Sequence, residues 1–148
     1  MAVKQISVAD ASQAMKASED VIYVDVRTPE EFDGGHPPKA INIPVVLPNP
    51  QLQQMAPNPD FLKVVEKHVP KDKRVIVGCK MGGRSQMAAE LMDRQGYVDV
   101  SNMQGGFGGA ADRITGQITV PGWIQMELPV ELEVTPSNSY EGLKEAAE

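Results

Sequence analysis

The run Val75-Ile76-Val77-Gly78-Cys79-Lys80-Met81-Gly82-Gly83-Arg84-Ser85, followed by a helical stretch from Gln86 to Gln95, constrains this chain most. A short β-branched segment ends at the only cysteine, a glycine-bearing loop closes on an arginine, and a helix starts at once. Strand, tight turn and helix N-terminus in succession aim several backbone N–H groups and the positive end of a helix at one point. Such a point favours a thiolate or a bound oxyanion.

The rest of the chain alternates strand and helix signals around this unit. Residues 3–7 read as a short strand ending at Ser7, an N-cap for a helix over 8–16 that buries Val8, Ala11, Ala14 and Met15. Residues 21–26 are nearly continuous and β-branched, the pattern of a strand covered on both faces of a parallel sheet. Thr28-Pro29-Glu30-Glu31 carries an N-cap, a first-turn proline and a capping-box glutamate, starting a short helix that anchors on Phe32 and stops at Gly34-Gly35. A turn at His36-Pro37-Pro38-Lys39 leads to a small strand, 40–43.

Residues 44–57, rich in proline, asparagine and glutamine, read as a rim loop with one helical turn near Leu52. A helix follows from Asn58-Pro59 to Val69-Pro70, burying Phe61, Leu62, Val64 and Val65. After the strand 74–78, the helix to Gln95 presents Met87, Ala88, Leu91 and Met92 to the core and ends at Gly96, and 98–103 is a further strand. A helix over 110–114 and then irregular chain are expected, with 131–148 a peripheral C-terminal tail carrying a last helix from Tyr140. The fold class is α/β: one domain over 1–130 with a mainly parallel central sheet, helices on both faces and right-handed crossovers. Cys79 then lies beyond the carboxyl end of a strand, where open sheets of this kind hold their ligands.

Composition narrows the chemistry. A chain of 148 residues buries a core without covalent staples. The formal charge of -6 and the pI near 4.9 come without a basic stripe, which argues against nucleic acid and anionic membranes as partners and for small-molecule chemistry. One cysteine forms no internal disulfide, and no Cys/His spacing suits a metal, so neither metal nor cofactor is expected. With no signal-like or membrane-spanning segment, the cytoplasm is the expected compartment.

A thiol reacts as its thiolate, favoured by a helix N-terminus and nearby cations; Lys80 and Arg84 are the candidates here. Gly82 and Gly83 let the backbone turn tightly around the sulfur. The resulting cup of N–H donors from Lys80 to Ser85, with Met81 as an apolar lip, suits a persulfide anion in one kind of enzyme and a phosphate in another. Asp25 and Arg27, at a strand end beside the loop, read as an ion-pair or hydrogen-bonded brace, and His36 as a structural hydrogen-bonding residue. His68 reads as a surface residue and Trp123 as a packing anchor.

Cys79, Gly82 and Arg84 match the Cys-x-x-Gly-x-Arg pattern of the rhodanese-like (thiosulfate sulfurtransferase) family, and the loop resembles that family's active-site loop. Val24-Asp25-Val26-Arg27 with Glu30-Glu31-Phe32, then Gly35-His36 and Ala40-Ile41-Asn42-Ile43-Pro44, resemble its N-terminal signature. Gly105-Gly106, Trp123 and Leu128-Pro129-Val130 resemble its C-terminal elements, so the likeness covers roughly residues 3–130. Two departures stand out: Lys39 replaces a glycine usual in the family, and the interval from Gly106 to Trp123, including 107–122, is longer than in compact members.

The family's phosphatase and arsenate reductase branch has one more residue between cysteine and arginine, whereas Cys79 and Arg84 are separated by four. The resemblance therefore implies a sulfurtransferase of the thiosulfate:cyanide type. Cys79 would take a sulfane sulfur from a thiosulfate-like donor as a persulfide, with Arg84 and Lys80 attracting that donor. An external thiol, protein thiol or cyanide would accept the sulfur. A non-catalytic sulfur carrier or partner-binding module is the alternative, and a small phosphatase or arsenate reductase the third.

Overall fold

Valine- and isoleucine-rich runs, alternating in direction along each strand, supply the two faces of the central sheet. The structure is a computed structural model that describes residues 3–148. Its elements in order are β1 (Lys4–Ile6), α1 (Val8–Ala17), β2 (Ile22–Asp25), α2 (Pro29–Asp33), β3 (Ile41–Asn42), β4 (Val46–Asn49), β5 (Gln54–Pro57), α3 (Phe61–His68), β6 (Arg74–Gly78), α4 (Gly83–Arg94), β7 (Asp99–Met103), β8 (Ala110–Ala111), β9 (Ile118–Val120) and α5 (Tyr140–Ala147). Five parallel strands form the central sheet in the order β1-β7-β6-β2-β3. The α/β class and the parallel sheet expected from the alternation are therefore present.

Val24, Val26, Val75, Val77 and Cys79 point into one core cluster, shared with Phe61, Val64 and Val65 of α3, Ala88, Ala89 and Met92 of α4, and Tyr140 and Leu143 of α5. Tyr23 and Ile76 point the other way, onto Val8 and Ala11 of α1, Phe32 of α2 and Trp123. Helix starts follow their caps: Ser7 accepts from the Asp10 N–H, and Thr28 and Glu31 complete a reciprocal capping box. No helix among the described residues is long and apolar enough to cross a membrane.

Several expectations need correction. Residues 44–57 are not an open loop with a helical turn but the antiparallel hairpin β4–β5, its bend held by Asn49 Oδ1 accepting from Gln51 and Leu52 N–H. Residues 110–114 form no helix; β8 and β9 pair across a turn in which Asp112 Oδ1 accepts from Ile114 and Thr115 N–H. In both places a short polar side chain offers the backbone a local alternative to a helix. Met87, expected in the core, is exposed, while Met92 is fully buried.

The segment 131–148 is not peripheral in its packing. Its expected helix is α5, and the Tyr140 hydroxyl accepts from Asn58 Nδ2 at 2.9 Å. His68, read as a surface residue, is half-buried, with Nε2 2.7 Å from the Leu143 carbonyl oxygen. Upstream of α5, Asn42 N–H donates to Asn138 O, and His36 pairs with Glu131 in an isolated bridge.

Candidate active site

The β6–α4 turn is tighter than its sequence suggests. Gly82 adopts a left-handed conformation, φ 114°, which a side chain would disfavour, and α4 begins at Gly83 instead of near Ser85 or Gln86. Arg84 and Ser85 thus belong to the first helical turn. Gly83 is not sterically required, because a Cβ there would meet nothing within 4 Å.

Cys79 is 2% exposed. Its Sγ accepts from the Gly82 N–H at 3.0 Å and lies 3.3 Å from Ser85 Oγ. The sulfur therefore sits inside the turn with an N–H directed at it and a hydroxyl within reach, over the N-terminal end of α4. Lys80, the next residue in the chain, is exposed, and so is Met81, at 49%.

The loop rests on a second glycine-bearing segment. Phe107 N–H donates to Cys79 O at 2.7 Å and Gly108 N–H to Lys80 O at 2.9 Å. A Cβ on Gly106 would lie 2.5 Å from Cys79 O, so glycine there lets the two backbones meet. The Phe107 ring in turn lies under the Arg27 guanidinium, 4.4 Å from its Cζ.

Asp25 and Arg27 form a buried ion pair. Arg27 donates from Nε and Nη2 to the Asp25 carboxylate, and Nη2 also donates to Gly35 O at 2.7 Å. Burial works against the Arg27 charge, but the hydrogen bonds to Asp25 and the negative charge of Asp25 and its neighbours together outweigh it and hold its pKa above the ordinary value. His36 is fully buried and stacked on Phe32, with Nδ1 2.9 Å from Phe32 O, while Nε2 has no partner among the described residues. Its backbone bridges to Glu131, and it makes no hydrogen bond to the Cys79 loop among the described residues. Trp123 is buried as an anchor, its Nε1 donating to Pro129 O at 2.7 Å.

Arg84 is not a free cation. Its Nη1 and Nη2 donate to the two oxygens of Glu31 at 2.6 and 2.9 Å. That pairing, assisted by the Thr28 N–H, pulls the Glu31 carboxyl from 4.5 to about 2. Arg84 itself is held above its usual value by the same contact. The charge of Arg84 thus reaches the loop as half of an ion pair, leaving Lys80 as the exposed cation next to the sulfur.

Glu31 reads from sequence as a capping residue and part of the N-terminal signature, while Tyr23, Asn102 and Gln5 carry no site role there. Ser85 Oγ lies 2.5 Å from Asn102 Oδ1, Asn102 Nδ2 donates to Gln5 Oε1 at 3.0 Å, and Gln5 Nε2 donates to Gln86 Oε1 at 2.7 Å. The signal for Asn102 is a polar residue at an inward position of a buried strand. Among the described residues, no group of three His, Cys, Asp or Glu is placed to hold a metal ion.

Known proteins share this architecture. A family model described as a rhodanese-like domain matches residues 7–112. Thiosulfate sulfurtransferase 16, chloroplastic, of Arabidopsis thaliana is 44% identical over 85 residues, 57% of this chain and 69% of that protein. Senescence-associated protein DIN1 of Raphanus sativus is 38% identical over 109 residues, 74% of this chain but only 51% of the relative's length. The crystal structure of a rhodanese-related protein from Thermoplasma volcanium superposes with a TM-score of 0.60 at 28% identity, covering 88% of this chain and 99% of that one. With its parallel sheet, its cysteine-bearing β6–α4 turn and a family match across most of its length, the chain belongs to the rhodanese-like family.

Proposed function

We propose that the protein is a sulfurtransferase that carries a sulfane sulfur on Cys79. The observation behind this reading is the position of Cys79 Sγ, inside a short turn with the Gly82 N–H directed at it and the Ser85 hydroxyl within reach. A short cup of this kind holds a charged sulfur with a backbone donor already in place.

Cys79 thiolate attacks the outer sulfur of a thiosulfate-like donor. The donor's S–S bond breaks, sulfite leaves with the electron pair, and a Cys79 persulfide remains. An external thiolate or cyanide then attacks the outer sulfur and returns Cys79 as thiolate. Cys79 is the only cysteine, so the acceptor comes from outside the chain. Lys80 supplies the exposed positive charge that draws an anionic donor, and the Lys80–Ser85 backbone holds the persulfide.

Intact mass spectrometry after incubation with thiosulfate tests the loading step, with thiocyanate formation from cyanide testing transfer. The expected result is one added sulfur that Cys79→Ser abolishes, followed by turnover. Loading without turnover to cyanide or any thiol would make the protein a carrier. No adduct, or Cys79-dependent hydrolysis of an aryl phosphate, would overturn the reading.

A further inference from the structure

Asn102 is 4% exposed and points toward the face of the sheet covered by α4, where the neighbouring positions are valine and cysteine. An amide there is costly unless all its polar atoms are used. Parallel register sets Gln5, Asn102 and Val77 abreast on β1, β7 and β6, two residues before Cys79. The first turn of α4 brings Ser85 and Gln86 onto the same row, giving the hydrogen-bonded series Cys79, Ser85, Asn102, Gln5, Gln86.

Ser85 has one hydroxyl proton and three acceptors within reach: Cys79 Sγ, Gly82 O and Asn102 Oδ1. With that proton on Asn102 Oδ1, every donor in the series points away from the sulfur. This order suits a neutral thiol, whose own S–H is free to donate to Ser85 Oγ. The two ends of a carboxamide are nearly the same shape, so turning the Asn102, Gln5 and Gln86 amides over reverses the series without moving its heavy atoms. Gln86 then donates to Gln5, Gln5 to Asn102, Asn102 to Ser85, and Ser85 to the sulfur, the order a sulfur anion requires.

We propose that Asn102 and Gln5 are positioning residues that set the direction of the Ser85 hydroxyl, and that their amides reverse when Cys79 passes between its neutral and anionic forms, persulfide included. The functional part rests on the sulfurtransferase reading. The reversal itself does not, because it follows the charge on Cys79 whatever the sulfur attacks. Other charged or titratable groups around the cysteine are Lys80, the Arg84–Glu31 pair, the Asp25–Arg27 pair and Tyr23. None of their side chains hydrogen-bonds to Ser85, Asn102 or Gln5 among the described residues.

Gln5 is exposed and next to the outer end of the series, so its variants are expected to fold. The test is the pH profile of Cys79 alkylation by iodoacetamide in Gln5→Glu and Gln5→Lys, each with and without Ser85→Ala. A glutamate accepts only and fixes the outward order, which moves the half-maximal pH up. A lysine donates only and fixes the inward order, which moves it down. Each shift is expected to be about half a unit or more, a fraction of one hydrogen bond to a charged group.

In the Ser85→Ala background both shifts should collapse to a direct charge effect that 1 M salt removes. Equal shifts with and without Ser85, or none in its presence, would overturn the proposal. Since alkylation needs no sulfane donor, failure to load sulfur from thiosulfate would remove the proposed function and leave this result standing.

Discussion

Arg84 lies face to face with Glu31, two nitrogens against two carboxylate oxygens at 2.6 and 2.9 Å. The same Glu31 closes the capping box of α2, so one carboxylate ties the cysteine-bearing turn to the helix that follows β2. Its charged form is the one the fold uses.

The Glu31 carboxyl falls from 4.5 to about 2, chiefly through Arg84 and against the opposing effect of burial. A depressed carboxylate contributes stability in full above its unfolded value, and that contribution is lost as pH falls from about 4.5 through about 2. With both side chains partly solvated, screening reduces it to on the order of 1 kcal/mol. Urea unfolding at pH 7 and pH 3 should show wild type losing more stability than Glu31→Gln. Equal losses would mean that the pair is too well solvated to matter.

Gly78 is set by Tyr23, which stands on the neighbouring strand. A Cβ at Gly78 would fall 1.8 Å from the Tyr23 hydroxyl oxygen and 2.6 Å from Cζ. Gly78→Ala is therefore expected to destabilise by about 3 kcal/mol, the upper end for overpacking a core. Adding Tyr23→Phe should recover part of this in denaturant titrations, since the nearest clashing atom is gone and the ring remains. Independent, additive effects would show that the two residues do not share the space.

The pattern of β-branched runs made the parallel sheet legible, and spacing around Cys79 made the reactive turn legible, because both depend on neighbours in sequence. Glu31 with Arg84, and Asn102 with Gln5, were hidden: their partners lie 53 and 97 residues apart and meet only through tertiary packing. Residues 46–57 and 110–120 misled for another reason. Asn49 and Asp112 bond to nearby N–H groups, and cross-strand pairing then decides the conformation. The α5 segment looked peripheral where the strand and helix pattern had weakened, yet Tyr140 and Leu143 supply an apolar face that packs with α3.

Lys39, the departure from the family's usual glycine, has φ 68°. A side chain in this left-handed region costs roughly 1 kcal/mol, and its only ion pair among the described residues, to Glu19 at 3.6 Å, is largely exposed. Lys39→Gly is expected to stabilise the fold by about 0.5 kcal/mol, because relief of the strain exceeds the extra entropy of an unfolded glycine. Thermal melts of Lys39→Gly and Lys39→Ala decide the matter. Alanine should give no such gain, since it shares the Cβ that creates the strain.

The Asp25–Arg27 pair distinguishes bracing from chemistry. Both side chains are at most 5% exposed, so Asp25→Asn leaves a buried guanidinium without its counter-charge, with one amide oxygen, Gly35 O and the Phe107 ring around it. Breaking such a pair from one side costs about 3–5 kcal/mol, whereas replacing both partners with apolar groups of similar volume is far milder. Asp25→Asn should therefore melt early, and Asp25→Leu with Arg27→Met should regain most of the loss. In the folded double variant a brace predicts that Cys79 still takes up sulfur from thiosulfate at a rate near wild type, measured at low temperature by intact mass. A rate lost along with the charges, despite recovered stability, would show that Asp25 or Arg27 acts on the reacting sulfur and not through the scaffold.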